Sequence, residues 1–403
     1  MDNAGTESPR RCWLAACAAL AAGEFSASLV PQLAEAWPAV AVLALLVALF
    51  GFGVVVRGWW LAVVFLFGAA MFLRSSVDAE RMYRERPWLR GRMERRAQPS
   101  RSSSLVRAME PARAAFARCT ALGLERSGAA AALNRAILLG DRRSLPRQVR
   151  STFVLSGTMH VFAVSGVHVM AVVHVLALLL RLVLFLPRRV AGAAAVPCVW
   201  GYVCLVGAPP SAVRAAMMAT AYYLAPLFWR RPDAAMAWAL AFLAVCGPDP
   251  LKIGDVGCML SFAVMLAIIL AAECCQGRRG PLQLLWMTFA AWAAGVPLTA
   301  HVFGHFTPGG LVANLALVPA AGFAVASGVL GMLAGLLSEG VAAHFNNMAA
   351  LASSAMAGIA GAVARLPFAD FEVARWSLTA CAAWYAALVL LIMGVRSWMR
   401  PHL

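Results

Sequence analysis

Apolar residues in this chain gather in long runs. They show neither the strict alternation of half-buried strands nor the narrow stripe of a soluble amphipathic helix. The runs cover about 12–30, 37–56, 59–73, 165–186, 190–206, 211–228, 234–247, 257–273, 282–303, 311–337, 341–363 and 376–395. Since about 20 apolar residues cross a bilayer, the pattern predicts an all-α, polytopic transmembrane helix bundle of about 12 spans. Glu24 interrupts the first run, which follows Arg10-Arg11 and has the flank of a signal peptide. Further runs follow at once, so an uncleaved first helix is expected. The stretch 151–164 is apolar but short and holds Gly157. It is expected to be re-entrant or broken, as is the 311–337 run at Pro319. Such backbone survives at membrane depth only where protein or a watery cavity satisfies it.

One long polar segment, 74–150, separates the third run from the fourth. The expected organisation is three N-terminal spans over 1–73, an Arg-rich extramembrane segment over 74–150, and a membrane domain over 151–403. The polar segment carries 18 arginines against seven acidic residues. Within it, Leu105, Met109, Ala112, Phe116 and Cys119 recur at helical spacing, with Arg107, Arg113 and Arg118 between them. This predicts an amphipathic helix that lies on the membrane or packs on the bundle, kinked at Pro111.

Composition agrees with a membrane protein. Of 403 residues, 62% are hydrophobic and 13% charged, and mean hydropathy is +0.76; soluble domains are nearer half apolar and a quarter charged. The ten cysteines form no C-x-x-C pair and show no zinc spacing, so they read as small buried hydrophobes. The formal charge is +16, and all basic residues but Lys252 are arginine. Arg188-Arg189, Arg230-Arg231 and Arg278-Arg279 occupy alternate loops. The positive-inside bias puts those loops in the cytoplasm, and both termini with them. The 74–150 segment then falls outside, as long loops can regardless of charge. An external basic surface attracts a polyanionic strand; contact with lipid headgroups is the other reading.

Four segments carry a more specific signal. Gly140-Asp141-Arg142 precedes His160, Ser165, Gly166 and His168, which form H-x-x-x-x-S-G-x-H. Pro210-Ser211 leads to Arg214-Ala215. Asp249-Pro250 is followed by Asp255, Gly257, Leu260, Ser261 and Phe262. Pro297, Phe303 and Phe306 precede Gly310-Leu-Val-Ala-Asn-Leu315 and Pro319. In this order they resemble the membrane domain of the ComEC-type competence family, best over 139–320. The resemblance implies an inner-membrane channel domain over 151–403 that conducts single-stranded DNA during natural transformation. It implies no enzyme activity in this chain: family members often end in a metallo-β-lactamase-like domain, and no H-x-H-x-D-H motif occurs here. A nuclease and a DNA-translocating motor would be separate partners, and a homo-oligomer is compatible. No cofactor or metal is expected.

The residues themselves support two readings. His160, Ser165 and His168 are costly in lipid and should face the bundle interior or a watery path. Gly157 and Gly166 permit a break or a close backbone approach. Either these groups line a path with Arg214, Asp255 and Asn314, or they only fix helix packing by hydrogen bonds. Arg214 contacts phosphate or snorkels to the interface, and Asp255 either pairs with it or serves, like Asp249, as a cap or turn residue. Ser165 with a His could activate a nucleophile, but no carboxylate stands nearby in sequence, so catalysis is not expected. His301 and His305 are read as structural groups where a helix ends at Gly304, and Gly331 with Gly335 as a close-packing pair. Outside the resemblance, a small-molecule transporter or exporter built on the same membrane fold is the alternative.

Overall fold

A computed structural model of the chain describes residues 108–399, apart from 126, 143–144, 248–251, 253–254 and 276–279. The first three predicted spans, Arg278-Arg279 and Asp249 lie outside the described residues. Twelve α-helices are described: α1 Glu110–Cys119, α2 Gly128–Leu139, α3 Arg147–Leu155, α4 Gly166–Val183, α5 Arg188–Leu205, α6 Pro210–Leu224, α7 Ala234–Cys246, α8 Val256–Cys274, α9 Pro281–Phe303, α10 Gly309–Ala334, α11 Glu339–Ala364 and α12 Leu378–Met399. Single 3-10 turns cover Met159–Phe162 and Ala225–Phe228. A two-stranded antiparallel ribbon pairs β1, His305–Phe306, with β2, Phe371–Glu372.

Each apolar run from residue 165 onward becomes one helix. Six of the described helices, α4 and α8 to α12, are long and apolar enough to cross a membrane. A bundle of 12 spans is therefore not established. α5 opens on Arg188-Arg189, α6 stops after 15 residues, and α7 has only 13. At 1.5 Å rise per residue, α7 is about 20 Å long, short of a bilayer core. Large apolar side chains lie bare on the outer surface, among them Leu182, Phe185, Leu337 and Leu351. That surface suits hydrocarbon rather than water, and with the six long helices it makes this a membrane protein.

The central pair is the α10–α11 hairpin. Glycines on α10 set its contacts. A Cβ at Gly328 would collide with Leu138 of α2, and one at Gly331 with Asn346 of α11. At Gly335 it would press on Cys119 of α1. The predicted close packing at Gly331 and Gly335 is thus present. One core joins α2, α4, α5, α6, α10 and α11 around Ile137, Leu138, Phe153, Phe162 and Leu317. A second, between α7, α8 and α12, is built on Trp238, Phe242 and Phe262. A third packs α8, α9 and α12 through alanines.

Two expectations are corrected, and one left open is decided. Pro111 starts α1 rather than kinking it; in the first helical turn its missing N–H costs nothing. Pro319 does not break α10, which runs unbroken from Gly309 to Ala334. Its ring sits on an exposed face of the helix, and an apolar solvent offers unwound backbone no partners. The amphipathic helix packs on the bundle: Met109, Ala112, Phe116 and Ala117 lie against the first core. α2, also within the 74–150 segment, is mostly buried in that same core.

Arg189 stands over the Trp229 ring, 6.0 Å from its centre. The loops bearing Arg188-Arg189 and Arg230-Arg231 therefore meet. His301 and His305 do not share a helix, because α9 ends at Gly304 with φ +70°. His301 Nδ1 bonds the Trp376 carbonyl, and His305 Nδ1 pairs with Asp370 at 3.0 Å.

Candidate functional site: a broken segment lined with unpartnered polar groups

The segment between α3 and α4 holds the site. α3 ends at Leu155, and Gly157 takes φ +69°, a conformation costly for any side chain. A Cβ there would also press on Thr307 at 3.0 Å. The chain makes the 3-10 turn Met159–Phe162, then extends through Ala163 to Ser165. This non-helical backbone is enclosed by protein. Phe153 packs edge-on against Phe162 with ring centres 4.6 Å apart, and Ser156, Thr158, Val161 and Val164 are buried. The Ser156 and Thr158 hydroxyls satisfy one another at 2.6 Å.

Ser165 does not stand on the helix face with His168. It caps α4. The His168 Nδ1 lies 3.3 Å from the Ser165 backbone N–H, which donates to it, and 3.1 Å from the Ser165 Oγ. An imidazole thus occupies the place that Glu or Gln takes in an ordinary capping box. This fixes the ring and leaves Nε2 facing inward. His168 is 1% exposed. Its Nε2 makes no hydrogen bond of acceptable geometry, although the Ile137 carbonyl lies close enough to interact. His160, eight residues earlier, keeps an accessible surface while protein crowds around it. Both hold at once for a group that lines a recess.

Arg214 neither snorkels nor pairs with Asp255. It is 5% exposed; Nη2 donates to the Gly257 carbonyl at 2.9 Å and the guanidinium lies 5.9 Å from the Phe262 ring centre. Asp255 is the N-cap of α8, its Oδ1 accepting from the Cys258 N–H at 2.7 Å. Its carboxylate is thus committed to the helix end rather than to a salt bridge with Arg214. Ser211, on the same turn of α6, donates to the Val164 carbonyl at 2.7 Å. Gly166 faces Met265 of α8. So the first turn of α6 meets both the residue before the α4 cap and the first turn of α8, while the start of α4 faces the middle of α8.

Asn314 sits on α10 between two contacts, one with this segment and one with the start of α4. Gly310 meets Gly157, and Gly322 meets Val167. Positions 310 and 314 are four apart and share a helix face, which sets Asn314 along the broken stretch. Its Oδ1 is buried without a partner.

These orphaned atoms are the main electrostatic feature. Among the described residues, buried side-chain polar atoms without a partner belong to His168, Arg214, Trp286, Asn314 and Asn346. Three of the five are residues that sequence patterns single out. Interiors rarely leave such groups unsatisfied, because each costs about 1–3 kcal/mol. A path that admits water or a polar solute would satisfy them.

Sequence reasoning missed Ser211 as the link between two motifs, although its place after Pro210 was visible. It quoted Arg142 in the Gly-Asp-Arg turn but gave it no contact; its Nε donates to the Phe162 carbonyl at 3.1 Å. Asp255 caps α8 and makes no salt bridge with Arg214, which it still attracts from a distance. Among the described residues no cluster of three His, Cys, Asp or Glu is arranged to hold a metal.

Comparison with known proteins gives a family. The family model described as "Competence protein" matches residues 137–398. "ComE operon protein 3" of Bacillus subtilis (strain 168) is 28% identical over 227 residues. That alignment covers 53% of this chain and 27% of the relative, so the chain spans well under a third of the protein it matches. No solved structure matches.

Proposed function

This chain belongs to the competence protein family, and on that premise we propose that it is the membrane channel through which single-stranded DNA enters the cell during natural transformation. The observation that carries this reading is the coincidence of orphaned polar atoms with motif residues. Asn314 Oδ1 beside the backbone break and Arg214 Nε against α8 are buried without a partner, and His168 Nε2 has only a poorly aligned approach to the Ile137 carbonyl. A strand of phosphates and bases, with its water, offers what these atoms lack. Conduction asks that such contacts be several and individually weak, so that the strand moves on. A histidine, an amide and one arginine meet that need better than a cluster of cations.

On this reading the chain sits in the bacterial inner membrane with both termini cytoplasmic, and lipids cover its bare apolar surface. Residues His160, Ser165, Gly166, His168, Arg214 and Asn314 line or shape the path, while Asp255 holds α8 in register. No phosphate-binding loop of the G-x-x-x-x-G-K-S/T type occurs in the sequence, so a separate motor drives movement. A separate nuclease supplies the single strand.

The test is uptake of labelled DNA by a naturally transformable host deleted for this gene. Complementation with the wild-type chain restores uptake, and complementation with His168→Ala does not. Normal uptake by the deletion strain overturns the reading.

A further inference from the structure

A cleft of about 880 Å³ opens beside the broken segment. It is lined by Arg113 of α1, Arg135 of α2 and Arg142 of the Gly-Asp-Arg turn, with Glu110 and Asp141 at its walls. Its volume lies within the range of ordinary ligand sites.

We propose that this cleft binds the phosphodiester backbone of the incoming single strand and delivers it to the His160–His168 segment. The inference rests on the channel reading above and assigns that channel its entry site.

The cleft and the segment are joined by contacts. Arg142 Nε donates to the Phe162 carbonyl, two residues from His160. A Cβ on Gly140, in the same turn, would touch Val164 at 3.3 Å. Val164 in turn receives the Ser211 hydroxyl. Arg113 reaches toward Gly207, in the turn that leads into α6. A phosphate seated here is therefore one turn of chain away from the polar recess.

The charge balance favours an anion. Three guanidinium groups face two carboxylates. Asp141 is engaged in an interaction of its own, while Arg113 and Arg135 make no ion pair among the described residues. Arg142 is repelled by Arg150 rather than offset by an acid. Arg113 and Arg135 are half-buried, so their charges are less screened than on an open surface. Arginine suits the task, since its planar fork takes two phosphate oxygens at once. Ala114 and Ala117 on the same wall leave room for the strand. Nothing in the cleft resembles a base-reading set of amides, so recognition is of the backbone and indifferent to sequence.

The test uses the full chain in neutral phosphatidylcholine nanodiscs, with a fluorescein-labelled oligothymidylate as probe across a salt series. An abasic oligomer should compete as well as the intact one. Arg113→Gln with Arg135→Gln should weaken binding about ten-fold or more and make the salt slope shallower by about 1.4, for two lost phosphate contacts. Ala114→Trp, which fills the cleft and keeps every arginine, should weaken binding by a similar factor. It carries the test alone if the double variant fails to fold. Unchanged affinity and slope in the folded variants overturn the cleft but leave the channel reading standing, provided uptake still depends on the chain. Arginine-dependent retention of phosphatidylglycerol without arginine-dependent oligothymidylate binding would make the site a lipid site and also overturn it.

Discussion

The Ser211 hydroxyl donates to the carbonyl of Val164 across 2.7 Å, joining two segments 47 residues apart in sequence at the residue before the α4 cap. The bond holds the extended stretch 163–165 against the first turn of α6. Ser211→Ala should lower stability by roughly 1 kcal/mol, the net worth of one such bond. Because the freed backbone borders the recess, uptake should fall further than protein abundance does. Parallel quantification of membrane-inserted protein and labelled-DNA uptake checks this. Equal losses in both would reduce the bond to a packing role.

Arg214 is a buried cation whose bond goes to a carbonyl rather than to an acid. Such a charge costs the fold, and replacing it with an apolar group of similar volume is often neutral or stabilising. Arg214→Met should therefore keep or raise the thermal midpoint while uptake drops at least about ten-fold, the loss of one charged contact to the strand. Arg214→Lys should not rescue, since an ammonium lacks the fork and packs less well over Phe262. A lowered midpoint with proportionate loss of uptake would mark Arg214 as structural.

Pro297 lies inside α9 and cannot bond the Ala293 carbonyl. The indole N–H of Trp384 takes that carbonyl at 2.8 Å, and the Tyr385 hydroxyl takes Ala294 at 2.9 Å. α12 thus satisfies what the proline exposes in α9. Trp384→Phe should cost about 1–2 kcal/mol, by leaving a buried carbonyl unpaired. Pro297→Ala restores the in-helix bond, so the double variant should lose less than the sum of the two. A double-mutant cycle in detergent measures the coupling, expected at about 1 kcal/mol; strict additivity would disprove the link.

Gly328 faces the fully buried Leu138 side chain so closely that a Cβ has no room. Gly328→Ala should destabilise by about 1–3 kcal/mol through overpacking, with Leu138→Ala in the same chain recovering part of it. Thermal unfolding of the three variants decides.

Much of this architecture could be read from hydrophobic runs. In an apolar solvent a helix is the only way to satisfy backbone over such lengths, and so nine runs became nine helices with boundaries within a few residues. Gly157 and the 151–164 stretch announced a break because no single helix accommodates both. Other features were hidden for physical reasons. α2 is apolar but too short to read as a span, yet Leu138 and Ile137 fill the first core; only tertiary packing decides that. The partner of Arg214 is a backbone carbonyl, which every residue possesses and no sequence pattern marks. Ser165 and His168 stand three apart in sequence, yet they meet through a helix cap rather than on a shared face. Pro319 misled because proline breaks helices where water can take the freed carbonyl, and that face of α10 points outward to an apolar surface.

The central claim is that the transforming strand passes the recess at His160. A photo-crosslinking amino acid in place of His160, in cells stalled during uptake of labelled DNA, tests it most directly, with Leu182 on the bare outer surface of α4 as the control position. The account predicts single-stranded DNA attached at position 160 and lipid at position 182. Lipid alone at both positions, in cells that are taking up DNA, would contradict it.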